Sequence, residues 1–214
     1  MSTAIIGVGT IGKTVATHLV EGGETVILTS RTQSKAEQLA SELGPSASAA
    51  GMAEAIDQAD AVIFTVWLDA IKEIIQQHTA RLDGKVVIDP SNPIGPDGSG
   101  GYTRTLPDGV SSASVIAGLL PPGARLVKAF GTLTAQHLAL TAHKSPDRVV
   151  LFYATDDNTA ASTAERLIRA AGFDPVNIGG LDQAIRIEMY GDLHDFGGLN
   201  GKLLTVAEAK DLLG

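Results

Sequence analysis

A doubly wound α/β fold built on a mostly parallel sheet is predicted by three observations. Short, continuously apolar runs at residues 4–8, 25–28, 61–66 and 85–89 read as strands buried on both faces. Helical stretches lie between them, and most are stopped by glycine or proline. The links are short, so strand and helix alternate and the connections are right-handed crossovers.

Taken in order, residues 4–8 (AIIGV) are the first strand. Gly7, Gly9 and Gly12 follow in G-x-G-x-x-G spacing, and residues 14–20 are a helix stopped by Gly22 and Gly23. Residues 25–28 (TVIL) are a second strand, ended by Ser30 and Arg31. A helix over 34–43 stops at Gly44 and Pro45, and a short helix covers 52–57. Residues 61–66 (AVIFTV) are a strand, 68–78 a helix, and 85–89 (KVVID) a strand closed by Pro90. Residues 90–109 carry four prolines and five glycines without hydrophobic periodicity, which predicts a long loop, functional or mobile. A helix over 111–120 ends at Pro121 and Pro122. Residues 125–130 and 149–153 are two further strands around a helical segment at 132–141. An amphipathic helix over 158–171 and a short strand at 174–178 complete one dinucleotide-binding domain, 1–180. Residues 181–214 read as its helical C-terminal extension, broken at Gly197 and Gly198 and resumed as a helix over 205–213.

Composition narrows the function. The 214 residues contain no cysteine, which excludes disulfides, thiolate metal sites and cysteine nucleophiles, and no metal site is predicted. A net charge of −8 argues against a nucleic-acid or anionic-membrane partner. No run of about 18 apolar residues spans a membrane, and no basic segment precedes the first apolar run, so the expected location is the cytoplasm.

The glycine spacing has the flanks that make it informative: apolar strand before, helix and second strand after. Gly7 allows the tight turn, Gly9 lets a pyrophosphate approach the backbone, and Gly12 lets the helix pack close to the sheet. Thr10 and Ile11 would offer N–H donors at the positive end of the helix. An NAD site places an acid at the end of the second strand. Here Thr29, Ser30 and Arg31 occupy that address, with Lys35 about one helical turn on. A guanidinium and an ammonium grip a 2′-phosphate that a carboxylate would repel, so the expected cofactor is NADP(H).

With these residues in view the chain resembles the NADP-dependent oxidoreductases of the coenzyme F420 type, relatives of the 6-phosphogluconate dehydrogenase nucleotide-binding domain. The carriers are GVGTIG at residues 7–12, TSR at 29–31, TVW at 65–67, VIDPSNP at 87–93 and VKAFGT at 127–132. The resemblance implies hydride exchange between NADP(H) and coenzyme F420, a deazaflavin whose ring stacks on the nicotinamide. It implies that the nicotinamide is flanked by Thr65, Val66 and Trp67 on one side and by Phe130, Gly131, Thr132 and Leu133 on the other. Relatives commonly carry Asn or His where this chain has Phe130 and Gly131, and a glycine there would widen the acceptor pocket. The resemblance also implies a homodimer formed through the C-terminal region.

Hydride transfer between stacked rings needs little acid–base help, so no catalytic side chain is required. Reduction of a simple carbonyl would need a proton donor, and no such constellation stands out. His137 and His194 are the candidate ionisable groups. His194, with Asp192 and Asp195 beside it, reads as a proton donor, a metal ligand or a structural histidine. Trp67 reads as core or as a ring under the nicotinamide, and Tyr102 and Arg104 as a closure over the acceptor or as solvated residues. The partner expected is a small-molecule acceptor such as F420 or a flavin. The competing readings are an NADPH sensor without turnover and a ferric or flavin reductase.

Overall fold

The computed structural model describes residues 1–214. The elements are β1 (Ser2–Ile6), α1 (Thr10–Glu21), β2 (Thr25–Thr29), α2 (Gln33–Leu43), β3 (Ala47–Ala49), α3 (Met52–Gln58), β4 (Ala61–Phe64), α4 (Leu68–Leu82) and β5 (Val86–Asp89). They continue as β6 (Ile94–Pro96), β7 (Tyr102–Arg104), α5 (Ser112–Ala117), β8 (Arg125–Lys128), α6 (Ala135–Leu140), β9 (Val150–Tyr153), α7 (Asn158–Ala170), β10 (Asp174–Asn177) and α8 (Val206–Leu213), with a 3-10 helix at Leu181–Ile187 before α8.

Six strands form one parallel sheet in the order β3-β2-β1-β4-β5-β8. The apolar runs are continuous because successive side chains enter opposite layers. Ile5, Ile63 and Ile88 point into the layer beneath α1 and α7, whereas Ala4, Ile6, Val62, Phe64 and Val87 point into the layer beneath α3 and α4. A one-residue slip of any of these strands would exchange the two layers. The chain leaves β1 and moves to β2 on one side but to β4 on the other, so the sheet's switch point lies between β1 and β4, at their C-terminal ends.

Several expectations need correction. The segment 90–109 is not a featureless loop: β6 and β7 pair as an antiparallel hairpin within it, the Asp97 carboxylate accepting from the backbone of Ser99 and Gly101 at its tip. β3 was not expected, because its ASA sequence carries no apolar alternation; it is recruited as the edge by pairing with β2. β9 and β10 do not extend the main sheet. They form a separate parallel pair, tied to β8 by an antiparallel bridge between Lys128 and Ala154. β8 stops at Lys128 because Phe130 turns into the left-handed region (φ 64°). The helix expected over 111–120 ends at Ala117, and the one over 132–141 begins only at Ala135, where Thr134 caps it. The helix over 68–78 runs on to Leu82 across a kink at His78.

The C-terminal stretch packs on the β9–β10 pair through Ile187, Leu193, Leu204 and Ala209. α8 opens with a capping box between Thr205 and Glu208. No helix is long and apolar enough to cross a membrane.

Candidate functional site

A cleft of about 1010 Å³ opens at the switch point. Of the residues expected to bind cofactor, Gly7, Gly9, Thr10, Ile11, Ser30, Arg31, Lys35, Thr65, Val66, Trp67, Phe130 and Gly131 line it. Gly12 and Thr132 stand behind its wall, His194 lies on the wall, and His137 lies off it.

The turn after β1 is held by packing from β4's end. Gly7 has φ +102°, and a Cβ there would meet Val66 Cγ1 at 2.5 Å and the Thr65 carbonyl at 2.8 Å. A Cβ on Gly12 would lie 2.0 Å from the Gly7 carbonyl oxygen. The Thr65 hydroxyl donates to the carbonyls of Ile6 (3.0 Å) and Gly7 (2.7 Å), so it buttresses the turn. Gly9 differs from both: a Cβ there would meet no protein atom within 4 Å. It is the N-cap of α1, whose first turn carries no acid and no side-chain cap.

At the far end, Arg31 precedes α2 and Lys35 lies in its first turn; neither makes an ion pair within the chain. The Ser30 hydroxyl is engaged with the Thr32 carbonyl at 2.7 Å.

At the opposite end, Phe130 is buried in the αL conformation, strain of the kind that surrounding packing must hold at a site. Gly131 does not widen the pocket. A Cβ there would sit 2.7 Å from the Pro90 carbonyl, so the glycine serves close packing of two loops. Trp67 is not core: it is 60% exposed, its ring centroid 6.5 Å from that of exposed Tyr102. The Tyr190 hydroxyl donates to the Tyr102 carbonyl (2.6 Å) and thereby fixes the hairpin to the C-terminal stretch. The Ser91 hydroxyl, on the cleft wall and buried, has no hydrogen-bond partner.

The histidines sort differently from their order in the sequence. Asp192 turns away to a two-pronged pair with Arg186 (2.8–3.2 Å). Buried Asp195 joins His137 (Nδ1 to Oδ2, 2.7 Å) and His194 (Nδ1 to Oδ1, 3.0 Å) and accepts the Thr134 N–H at 2.7 Å. Burial opposes its charge, but the His194 ring nitrogen 3.0 Å away, the Thr134 N–H and His137 together prevail and hold the carboxyl down at about 2.

A second polar cluster, behind the cleft, was not foreseen. Lys128 is fully buried; its ammonium donates to Asp89 (2.8 Å), to the Ser112 hydroxyl (2.6 Å) and to the Ser91 carbonyl, and lies 3.6 Å from Glu188. Glu188 accepts from the Ser112 N–H (2.6 Å) and pairs with Arg104 of the hairpin (3.3 Å). Asn92 completes the brace: its amide donates to the Gly131 carbonyl (3.2 Å) and its oxygen accepts the Met189 N–H (2.6 Å). The signal was present in the sequence. Asp89 is the lone charge of β5, Lys128 is the charge that follows the apolar pair Leu126–Val127 in β8, and the two are register partners.

A parallel sheet in this order, with a glycine turn opening into a cleft at its switch point, defines a Rossmann-type dinucleotide-binding protein. Residues 2–93 match the family model described as NADP oxidoreductase, coenzyme F420-dependent. The F420-dependent NADP reductase of Methanothermobacter marburgensis is 30% identical over 199 residues, covering 88% of each chain. Metalloreductase STEAP3 of Rattus norvegicus is 28% identical over 184 residues, which are 86% of this chain; the chain spans 35% of STEAP3's length. The crystal structure of the hypothetical protein SMa0349 from Sinorhizobium meliloti superimposes with a TM-score of 0.83 at 29% identity, covering 96% of this chain and 95% of that one. The chain belongs to the coenzyme F420-dependent NADP oxidoreductase family and is an NADP-dependent oxidoreductase.

Proposed function

We propose that the protein moves hydride between NADP(H) and a planar deazaflavin or flavin-like acceptor such as coenzyme F420. The observation that carries the reading is one continuous cleft with two unpaired cations at one end and two exposed aromatic rings, Trp67 and Tyr102, at the other. The residues present fit NADP: the space a Cβ would fill at Gly9, the uncapped start of α1 and the unpartnered Ser91 hydroxyl each suit a polar ligand. Arg31 and Lys35 would hold the 2′-phosphate, and Thr10 and Ile11 would donate backbone N–H groups to the pyrophosphate. When bound, NADPH supplies the hydride. The protein orients the two rings and excludes water, with Phe130 and Gly131 as one wall and Trp67 and Tyr102 as rings on which a planar acceptor can stack.

The test is anaerobic stopped-flow absorbance at 340 nm with NADPH and, in turn, coenzyme F420, FMN, FAD and a quinone. Oxidation is expected with F420 or a flavin and much more slowly with NADH. Firm NADPH binding without oxidation by any of them would leave a sensor in place of an enzyme. Rapid reduction of FMN or FAD alone would favour a flavin reductase.

Two glycine variants separate ligand space from packing. Gly9→Ala is expected to melt within a few degrees of the parent, since its cost is about that of a weaker N-cap, yet to lose at least about tenfold in NADPH affinity (roughly 1.4 kcal/mol). Gly12→Ala is expected to lower the melting temperature itself, because the collision is with backbone. Calorimetric titration beside thermal unfolding reads both. Equal affinity losses with equal stability losses would remove the assignment of Gly9.

A further inference from the structure

His194 sits on the cleft wall, 2% exposed, with one ring nitrogen engaged and the other without a protein partner. Its Nδ1 accepts the N–H of Phe196 at 2.9 Å. In a neutral ring that arrangement leaves the proton on Nε2. The same Nδ1 lies 3.0 Å from Asp195 Oδ1, an oxygen that is buried and has no hydrogen-bond partner. The geometry is therefore incomplete in one specific way. A second proton, taken up at Nδ1, would exchange the neutral bond from the Phe196 N–H for a charge-assisted hydrogen bond across the 3.0 Å approach to the orphaned oxygen.

The carboxylate is fixed to receive it. Its other oxygen is held by the Thr134 N–H and by His137, both at 2.7 Å, so it cannot rotate away. The Asp195 N–H bonds the Thr132 carbonyl at 3.1 Å, which ties the pair to the loop carrying Phe130 and Gly131. No other carboxylate lies within 4.0 Å of the His194 ring nitrogens, and His137 is the other titratable group on Asp195.

We propose that His194 is the acid that delivers the proton accompanying hydride transfer, with Asp195 as its positioning residue. The inference rests on the oxidoreductase reading above and narrows its acceptor to molecules that take two electrons and a proton at a ring nitrogen or oxygen. A flavin, a deazaflavin and a quinone qualify; a bare metal ion does not. Bound NADPH supplies a hydride, which carries two electrons, and is left as NADP⁺. The reduced acceptor still lacks one proton. The Nε2–H bond of protonated His194 breaks as the acceptor's new N–H or O–H bond forms. His194 is left neutral, its remaining proton on Nδ1 and bonded to Asp195, and solvent restores the lost proton after product leaves. In the opposite direction the same nitrogen accepts the proton.

Single-turnover oxidation of NADPH by FMN, F420 and menadione across pH, in the parent, His194→Gln and Asp195→Asn proteins, tests this. His194→Gln should bind NADPH as the parent does, yet lose about 10²- to 10⁴-fold in the transfer step and lose the fall in rate on the alkaline side. Asp195→Asn should move that fall to lower pH, because the cation loses its counter-charge. A full-rate His194→Gln protein with an unchanged pH profile overturns the proposal. Should the parent reduce no acceptor, the oxidoreductase reading with these acceptors fails, and ¹⁵N NMR of the parent's His194 ring still decides the inference. A ring that gains a second proton, so that both nitrogens carry one, supports it. A ring that stays neutral throughout overturns it.

Discussion

Arg31→Ala should weaken NADPH binding by about 10- to 100-fold, while NADH binding changes by no more than about twofold. The physical case is local. Arg31 stands just before α2, whose first turn has no acidic side chain, and Lys35 lies one turn on from it. Three positive sources therefore face one end of the cleft: a guanidinium, an ammonium and the unsatisfied N–H groups of the helix. None is neutralised within the chain, so the extra phosphate would find the site already charged against it. Because both side chains are exposed, their contribution should fall with salt. Titration calorimetry at two ionic strengths, with NADPH and NADH on parent, Arg31→Ala, Lys35→Ala and the double variant, measures all of this. Equal losses for the two nucleotides would move these cations off the 2′-phosphate.

Lys128→Met should destabilise the fold by about 3–5 kcal/mol, a fall in melting temperature on the order of 10 °C for a chain of this size. The ammonium is buried between Asp89 and Glu188, two carboxylates that are themselves fully buried. Removing it leaves Asp89 with only the Ser91 N–H and the Ser112 hydroxyl, a hydroxyl that has one proton to give and that also faces Glu188. The damage should be repairable from the acid side: Lys128→Met with Asp89→Asn is expected to recover part of the loss, since Asp89 is the carboxylate left without a counter-charge while Glu188 keeps Arg104. Thermal unfolding followed by circular dichroism reads the series. A Lys128→Met protein that melts with the parent would remove the ion-pair account of the cluster.

What could be read from the chain, and what could not, follows physical lines. β1, β2, β4 and β5 were legible because strands buried on both faces must be apolar throughout, and no other use of such runs fits their length. The glycine turn and the basic address after β2 were legible because their chemistry is local in sequence. The β6–β7 hairpin was not, since its three-residue strands are stabilised by Arg104 reaching Glu188 and by the Tyr190 hydroxyl donating to the Tyr102 carbonyl. Asp195 was seen beside His194, but its second partner, His137, lies 58 positions away, and only the fold brings the two together. Gly131 was misread for the same reason: the carbonyl that forbids a side chain there belongs to Pro90.

The hydroxyl of Thr65, bonded to a carbonyl 58 residues earlier, has a consequence for how the molecule assembles. The glycine turn is not a self-sufficient peptide motif. Its shape is imposed by a strand that arrives only after three helices and two other strands have been threaded, and parallel pairing of that kind closes large loops before any reward is gained. A nascent chain that has emerged only through α2 would carry the whole nucleotide fingerprint and still have nothing to bind with. Affinity for nucleotide is in this sense a property of the finished sheet, and saturation with the ligand should raise the resistance of the entire domain to unfolding by mass action.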